Sequence, residues 1–200
     1  MVQLLSGLVL YGFSTGLLVR SNLGLDPWDV FHQGLATRAG MSIGSATIAV
    51  SAAVLLLWIP LRQRPGLGTV SNAILIGLMM DLTLSFLATP DHVLDRAALL
   101  AGGILLNGLA TGLYIGAGLG PGPRDGLMTG IAARGHSIRV VRTSIEITVL
   151  AAGWLLGGTV GIGTVAYALA IGPLVHIFMP WCAIDSAMSA TPPDAHAGLP

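Results

Sequence analysis

The chain has 200 residues, 54% of them hydrophobic and only 9% charged, with nine arginines and no lysine against nine acidic residues. A soluble domain carries about 25% charged residues and could not hide so large an apolar excess at its surface-to-volume ratio. Balanced charge excludes a basic footprint for nucleic acid, and the lone cysteine, Cys182, excludes an intrachain disulfide and a cysteine-based metal site.

The composition therefore predicts an all-α membrane protein solvated by lipid. A hydrocarbon core ~30 Å thick needs about 20 apolar helical residues. The first such stretch, 2–19, lacks a basic flank and a small-residue cleavage site, so it reads as a retained span and not a signal peptide. Residues 22–43 are too polar for a span and too apolar for a loop; Pro27 suits a first helical position and opens a short helix over 27–38. Spans follow over 44–60, ending at Pro60 and the turn Arg62 to Pro65, and over 67–88, ending at Thr89, Pro90 and Asp91. The same order then recurs: a span over 97–118, a short helix over 123–134 opened by Pro123, and spans over 143–160 and 163–182 joined at Gly161. The segment 186–200, with Pro192, Pro193 and Gly198, is expected to be a disordered tail.

That recurrence is written into the residues. Positions 12–38 align without a gap with 108–134, and the identities include Gly12/Gly108, Gly16/Gly112, Gly24/Gly120, Pro27/Pro123, Asp29/Asp125, Gly34/Gly130 and Arg38/Arg134. After a one-residue deletion, Gly66 to Val70 matches Gly161 to Val165, and Gly77 matches Gly172. Two repeats result, 1–95 and 96–185, each with three spans and one short helix that is re-entrant or interfacial. Three spans is an odd number, so the second repeat enters the membrane from the opposite side, giving inverted-topology repeats of the kind found in many secondary transporters. Arg62, Arg64, Arg124, Arg134, Arg139 and Arg142 fall on the N-terminal side of the membrane, against Arg20, Arg38 and Arg96 on the other, which predicts cytoplasmic termini.

The motifs LGLDPWDVFHQGLA (23–36) and GLGPGPRDGLMTG (118–130), with LLLWIPLRQRPGLGT (55–69) and WLLGGTVGIGT (154–164), resemble the YczE/YyaS/YitT-type bacterial membrane proteins, above all the YczE-like branch. The resemblance spans nearly the whole chain. It implies a multi-spanning protein of the bacterial cytoplasmic membrane and carries no substrate, cofactor or catalytic residue with it.

The residues that can carry chemistry fall into three groups. Asp29 and Asp125 sit third in the short helices, where a carboxylate can accept free backbone N–H groups, or leave them open to an anion if engaged elsewhere. Trp28, His32 and Gln33 accompany the first and Arg124 the second, and an arginine beside a helix start can pair with Asp or grip an anion. These six residues form the expected substrate site. Asp81, Glu146 and His176 lie within spans, where ionisable groups are costly and face the protein interior or water. With Arg142 one turn before Glu146, they are expected to couple ions or protons, or to lock the bundle as an ion pair. Gly12 and Gly16, and Gly108, Gly112 and Gly116, recur every four residues and predict close packing of the first span on its repeat mate.

No zinc-protease, nucleophile-elbow or P-loop pattern occurs, so neither an enzyme nor a metal or cofactor is expected. The expected function is a secondary transporter or permease for a polar small molecule, with the bilayer as partner and homo-oligomerisation left open. The alternative is a non-transporting membrane scaffold serving a larger complex.

Overall fold

The computed structural model describes residues 1–183; the expected tail lies outside them. These residues form eight helices: α1 (Val2–Ser21), α2 (Pro27–Ala39), α3 (Ile43–Leu61), α4 (Leu67–Phe86), α5 (Val93–Gly116), α6 (Pro123–Ala132), α7 (Ile138–Leu155) and α8 (Ile162–Cys182). Five of them, α1, α3, α4, α5 and α8, are long and apolar enough to cross a membrane. The sixth expected span falls short. Helix α7 has 18 residues but carries Arg139, Arg142 and Glu146 in its first half. It also begins earlier than the hydropathy suggested and ends before the left-handed Gly157, so the stretch 156–161 is a turn and not helix.

The distribution of polarity is that of a molecule in lipid. Large apolar side chains line the outside, among them Leu56, Ile59, Leu82, Leu169 and Trp181. Inside lie Ser14, Thr15, Thr47, Thr69, Thr83 and Asn107. Several of the hydroxyls are satisfied by their own helix: Thr15 donates to the Tyr11 carbonyl, Thr47 to Ile43 and Thr83 to Met79. A backbone that closes its hydrogen bonds within each segment, with apolar side chains outward, is what a hydrocarbon solvent demands.

Helices α1 and α5 form the central pair. A Cβ on Gly7 would meet Ala110 and Tyr114, and one on Gly103 would meet Ser14 and Leu18, so the two helices run antiparallel. Around them, α1 packs on α4 and α5 on α8, while α2 packs on α7 and α3 on α6. The contacts recur at matched positions. Gly12 and Gly16 meet Met79 and Thr83 of α4, and Gly108 and Gly112 meet Leu174 and Phe178 of α8. The spaced glycines thus serve the outer pairs, whereas the expectation put them between the first span and its mate. That crossing is instead made by Gly7 and Gly103, because the face carrying Gly12 and Gly16 turns toward α4.

Two backbone bonds tie the halves reciprocally. The Gly68 N–H donates to the Leu119 carbonyl at 2.8 Å, and the Gly163 N–H donates to the Leu23 carbonyl at 2.8 Å. The left-handed residues also come in matched pairs: Asn22 with Gly118, Gly24 with Gly120, Gly40 with Gly135, and Arg62 with Gly157. At Gly24, φ is +119° and a Cβ would stand 2.6 Å from the Gly161 nitrogen, so both conformation and space require glycine there.

Candidate functional site

Asp26 ends the extended stretch after α1 and caps α2, accepting from the Trp28 N–H at 2.9 Å and the Asp29 N–H at 3.2 Å. An Asp before Pro is suited to this: proline opens the helix with φ preset, and the Asp oxygen takes the free amides behind it. The sequence left Asp29 with two readings, capping or engagement elsewhere. Because Asp26 already fills the capping role, Asp29 is released to face inward. Its Oδ1 accepts from His32 Nδ1 at 3.0 Å, one helical turn on, and from Arg124 at 3.3 Å.

Arg124 comes from the start of α6, which in turn lacks a side-chain cap because Gly122 stands where the first half has Asp26. Its guanidinium reaches Asp29 and lies 3.7 Å from Asp26, and it stacks over the Trp28 ring at 5.3 Å from the centroid. Trp28 and Arg124 are 96 residues apart, the offset at which 12–38 aligns with 108–134, and their side chains meet at the starts of the two short helices. Asp29 is 2% exposed and Arg124 21%. Asp125 is held apart from this knot by a hydrogen bond from Tyr114, 2.7 Å long.

All three tyrosines of the chain converge on this interior. Tyr11 packs edge-on against Tyr114, and Tyr167 donates to Asn107 Oδ1 at 2.8 Å, while Asn107 donates to Ser14 at 3.0 Å. Tyr11 lies close enough to feel the charges of Arg124, Asp26, Asp29 and Asp125. Three buried polar atoms of α2 have no partner: Asp29 Oδ2, His32 Nε2 and the Trp28 indole nitrogen. Buried polar groups are nearly always satisfied, so three orphans on one helix mark a place where something else belongs.

The geometry gathers Trp28, Asp29, His32 and Arg124, with Asp125 beside them. Gln33 turns the other way and accepts from the Thr159 N–H. Asp81 caps α3, accepting from the Gly44 N–H at 2.8 Å and from Ser42. Glu146 pairs with Arg142 at 2.8 Å on the exposed side of α7, and His176 is exposed on α8. None of these five residues, Gln33, Asp81, Arg142, Glu146 and His176, joins the cluster. Asp26, Tyr11, Tyr114 and Tyr167 do, and were not singled out. For Asp26 the signal was available, since Asp-Pro before an apolar helix is a capping signature. For the tyrosines no local signal existed. Among the described residues, no group of three His, Cys, Asp or Glu is placed to hold a metal ion.

An apolar groove of about 480 Å³ adjoins the cluster, lined by Trp28 and Phe31 of α2, Val50 and Val54 of α3, Leu127 of α6 and Val149 of α7. Trp28 is shared: it lines the groove and also carries Arg124 on its ring.

Lipid-facing apolar helices around a buried charged knot define an integral membrane protein of the all-helical, multi-spanning class. The chain belongs to a family described as "Family of unknown function (DUF6198)", whose model matches residues 1–180. It is 48% identical over 177 residues to an "Uncharacterized protein" of Haemophilus influenzae, covering 88% of this chain and 81% of the relative. It is also similar to two proteins of Bacillus subtilis. "Uncharacterized membrane protein YczE" is 32% identical, covering 88% of this chain and 83% of the relative. "Uncharacterized protein YyaS" is 28% identical, covering 87% and 89%. No solved structure matches.

Proposed function

We propose that the chain is a small secondary transporter for a polar small molecule, built from two inverted repeats. The observation that carries the reading is the buried cluster itself: Asp26, Asp29, His32 and Arg124 lie where the first turns of α2 and α6 meet, one short helix from each half. Transport sites characteristically form from paired short helices at the interface of inverted repeats. A structural ion pair is a poor alternative, because an apolar replacement would cost less than burying these charges.

The repeat reading draws support from the antiparallel α1 and α5, from the reciprocal Gly68 and Gly163 bonds, and from the matched left-handed residues. On this reading α7 is the sixth span despite its charges, with Arg139 and Arg142 near the membrane face, and α2 and α6 are re-entrant, entering as extended backbone and leaving as helix. The protein lies in the cytoplasmic membrane with both termini cytoplasmic, on the face that receives most arginines. The buried carboxylates hold a solute; they do not break its bonds.

Accessibility tests this. With Cys182 replaced, a single cysteine at Gly122 stands beside Asp125 and Asn72. A small membrane-impermeant cationic thiol reagent is expected to modify it from one face of oriented vesicles, at a rate that changes when a pH gradient is reversed. A thiol unreactive from both faces, or reacting at a constant rate, argues for a sealed scaffold and against transport.

A further inference from the structure

The charges of the cluster do not balance. On α2 stand Asp26 and Asp29 with His32 between the helices, and on α6 stand Arg124 and Asp125. Facing them are Tyr11 from α1, Tyr114 from α5 and Tyr167 from α8, none of which supplies a cation. From α7, Arg142 is exposed and committed to Glu146. From α3 and α4 the nearest polar groups are neutral: the Trp58 indole, which donates to the Pro123 carbonyl at 3.1 Å, and Asn72 beside Gly122. Two carboxylates, Asp26 and Asp29, therefore share one guanidinium, with Asp125 held to one side by Tyr114. His32 Nδ1 is engaged by Asp29 Oδ1, which leaves His32 Nε2 and Asp29 Oδ2 unpartnered. Of the unpartnered atoms, Asp29 Oδ2 accepts and the Trp28 indole N–H donates, and the excess of carboxylate over guanidinium favours a cation.

The groove lies beside these charges and shares Trp28 with them. It is apolar throughout and is lined by two aromatic residues, Phe31 and Trp28. Aromatic faces attract cations whose hydration is weak. We propose that the solute is an organic cation with an apolar body, seated in the groove between α3 and α7 and drawn onto the Asp26–Asp29 carboxylate pair in exchange for protons. The inference rests on the transport reading and specifies its substrate class. The exchange conserves charge: a cation that arrives at the carboxylate pair releases protons to the side from which it came.

Tritiated tetraphenylphosphonium is the probe. The purified protein is expected to bind it at pH 8 and to lose at least tenfold in affinity by pH 5. Asp29→Asn is expected to abolish binding, whereas Asp91→Asn, in the exposed turn between α4 and α5, leaves it unchanged. Ala53→Trp, which fills the groove without touching a charge, is expected to weaken binding while the pH dependence stays. Affinity that does not change with pH in the native protein overturns the inference even if Asp29→Asn fails to fold. In proteoliposomes with an acidic lumen, the same cation should accumulate, with protons leaving. Uptake of labelled alanine or benzoate without uptake of tetraphenylphosphonium overturns the cation inference and leaves the transport reading standing. Flux of none of the three, with an unreactive cysteine at position 122, overturns both.

Discussion

Arg124 holds together two carboxylates that would otherwise repel. Asp26 and Asp29 sit three residues apart at one helix start and both point at its guanidinium, at 3.7 and 3.3 Å. Removing one partner of a buried ion pair typically costs about 3–5 kcal/mol, because the survivor stays buried and unpaired. Arg124→Gln should therefore lower thermal stability in detergent, and the loss should depend on pH. Without the guanidinium, the two carboxylates need protons to remain buried. Protonation meets that need at low pH and fails as pH rises, so the melting temperature of the variant should lie nearer the native value at pH 5 than at pH 8. Adding Asp29→Asn to Arg124→Gln removes one of the stranded charges and should recover stability at pH 8. Fluorescence-detected melting at the two pH values checks both outcomes, and an Arg124→Gln loss equal at both would mean that Arg124 packs rather than neutralises. At this scale the sequence was legible where chemistry is local. Trp28, Asp29 and His32 share one helix and Arg124 announced itself beside a proline. The convergence of Tyr11, Tyr114 and Tyr167 was not legible, because it arises only from how α1, α5 and α8 cross.

Glycines decide how closely the helices approach, and the contacts separate the essential ones from the incidental. A Cβ at Gly153 of α7 would lie 2.4 Å from the Phe31 nitrogen and 2.5 Å from its Cα, backbone atoms of α2 that cannot step aside. Gly172 of α8 and Gly102 of α5 have nothing within 4 Å. Gly153→Ala should then destabilise by about 1–3 kcal/mol through overpacking. Gly172→Ala should be neutral, or stabilising by up to about 1 kcal/mol from helix propensity. Comparable melting temperatures for the two variants would show that α7 does not pack on α2 as described. Four-residue spacing identified the faces of α1 and α5 that carry small residues, yet it could not say which neighbour each face meets. Spacing fixes a face relative to its own helix, whereas the neighbour depends on the arrangement of all the helices. Element ends were read to within a few residues wherever Pro27, Pro123 or Gly161 marked them. They were misjudged at α7, whose charged first turns broke the hydropathy window although the helix itself continues through them.

Matched offsets run through the whole molecule, and they make a statement about topology that can be tested without a substrate. Helices α1 and α5 are antiparallel and carry aligned residues 96 apart, so under the proposed repeat every other element after α5 should be reversed relative to its counterpart. The turn after α2, at Gly40 and Met41, and the turn after α6, at Gly135 and His136, are then equivalent points on opposite membrane faces. Both residues are exposed, and both follow a left-handed glycine in the turn after a short helix. The α6 turn should share the cytoplasmic face with Arg134 and Arg139, and the α2 turn should lie outside. Single cysteines placed at Met41 and His136 in a chain lacking Cys182 report this directly. An impermeant maleimide added to intact cells should label position 41 and spare position 136 until the membrane is opened. Labelling of both positions from one side would place the two turns on the same face, which antiparallel repeat mates forbid. In that event the repeats would be a packing device, and the meeting of α2 and α6 around Arg124 would lose its bearing on transport.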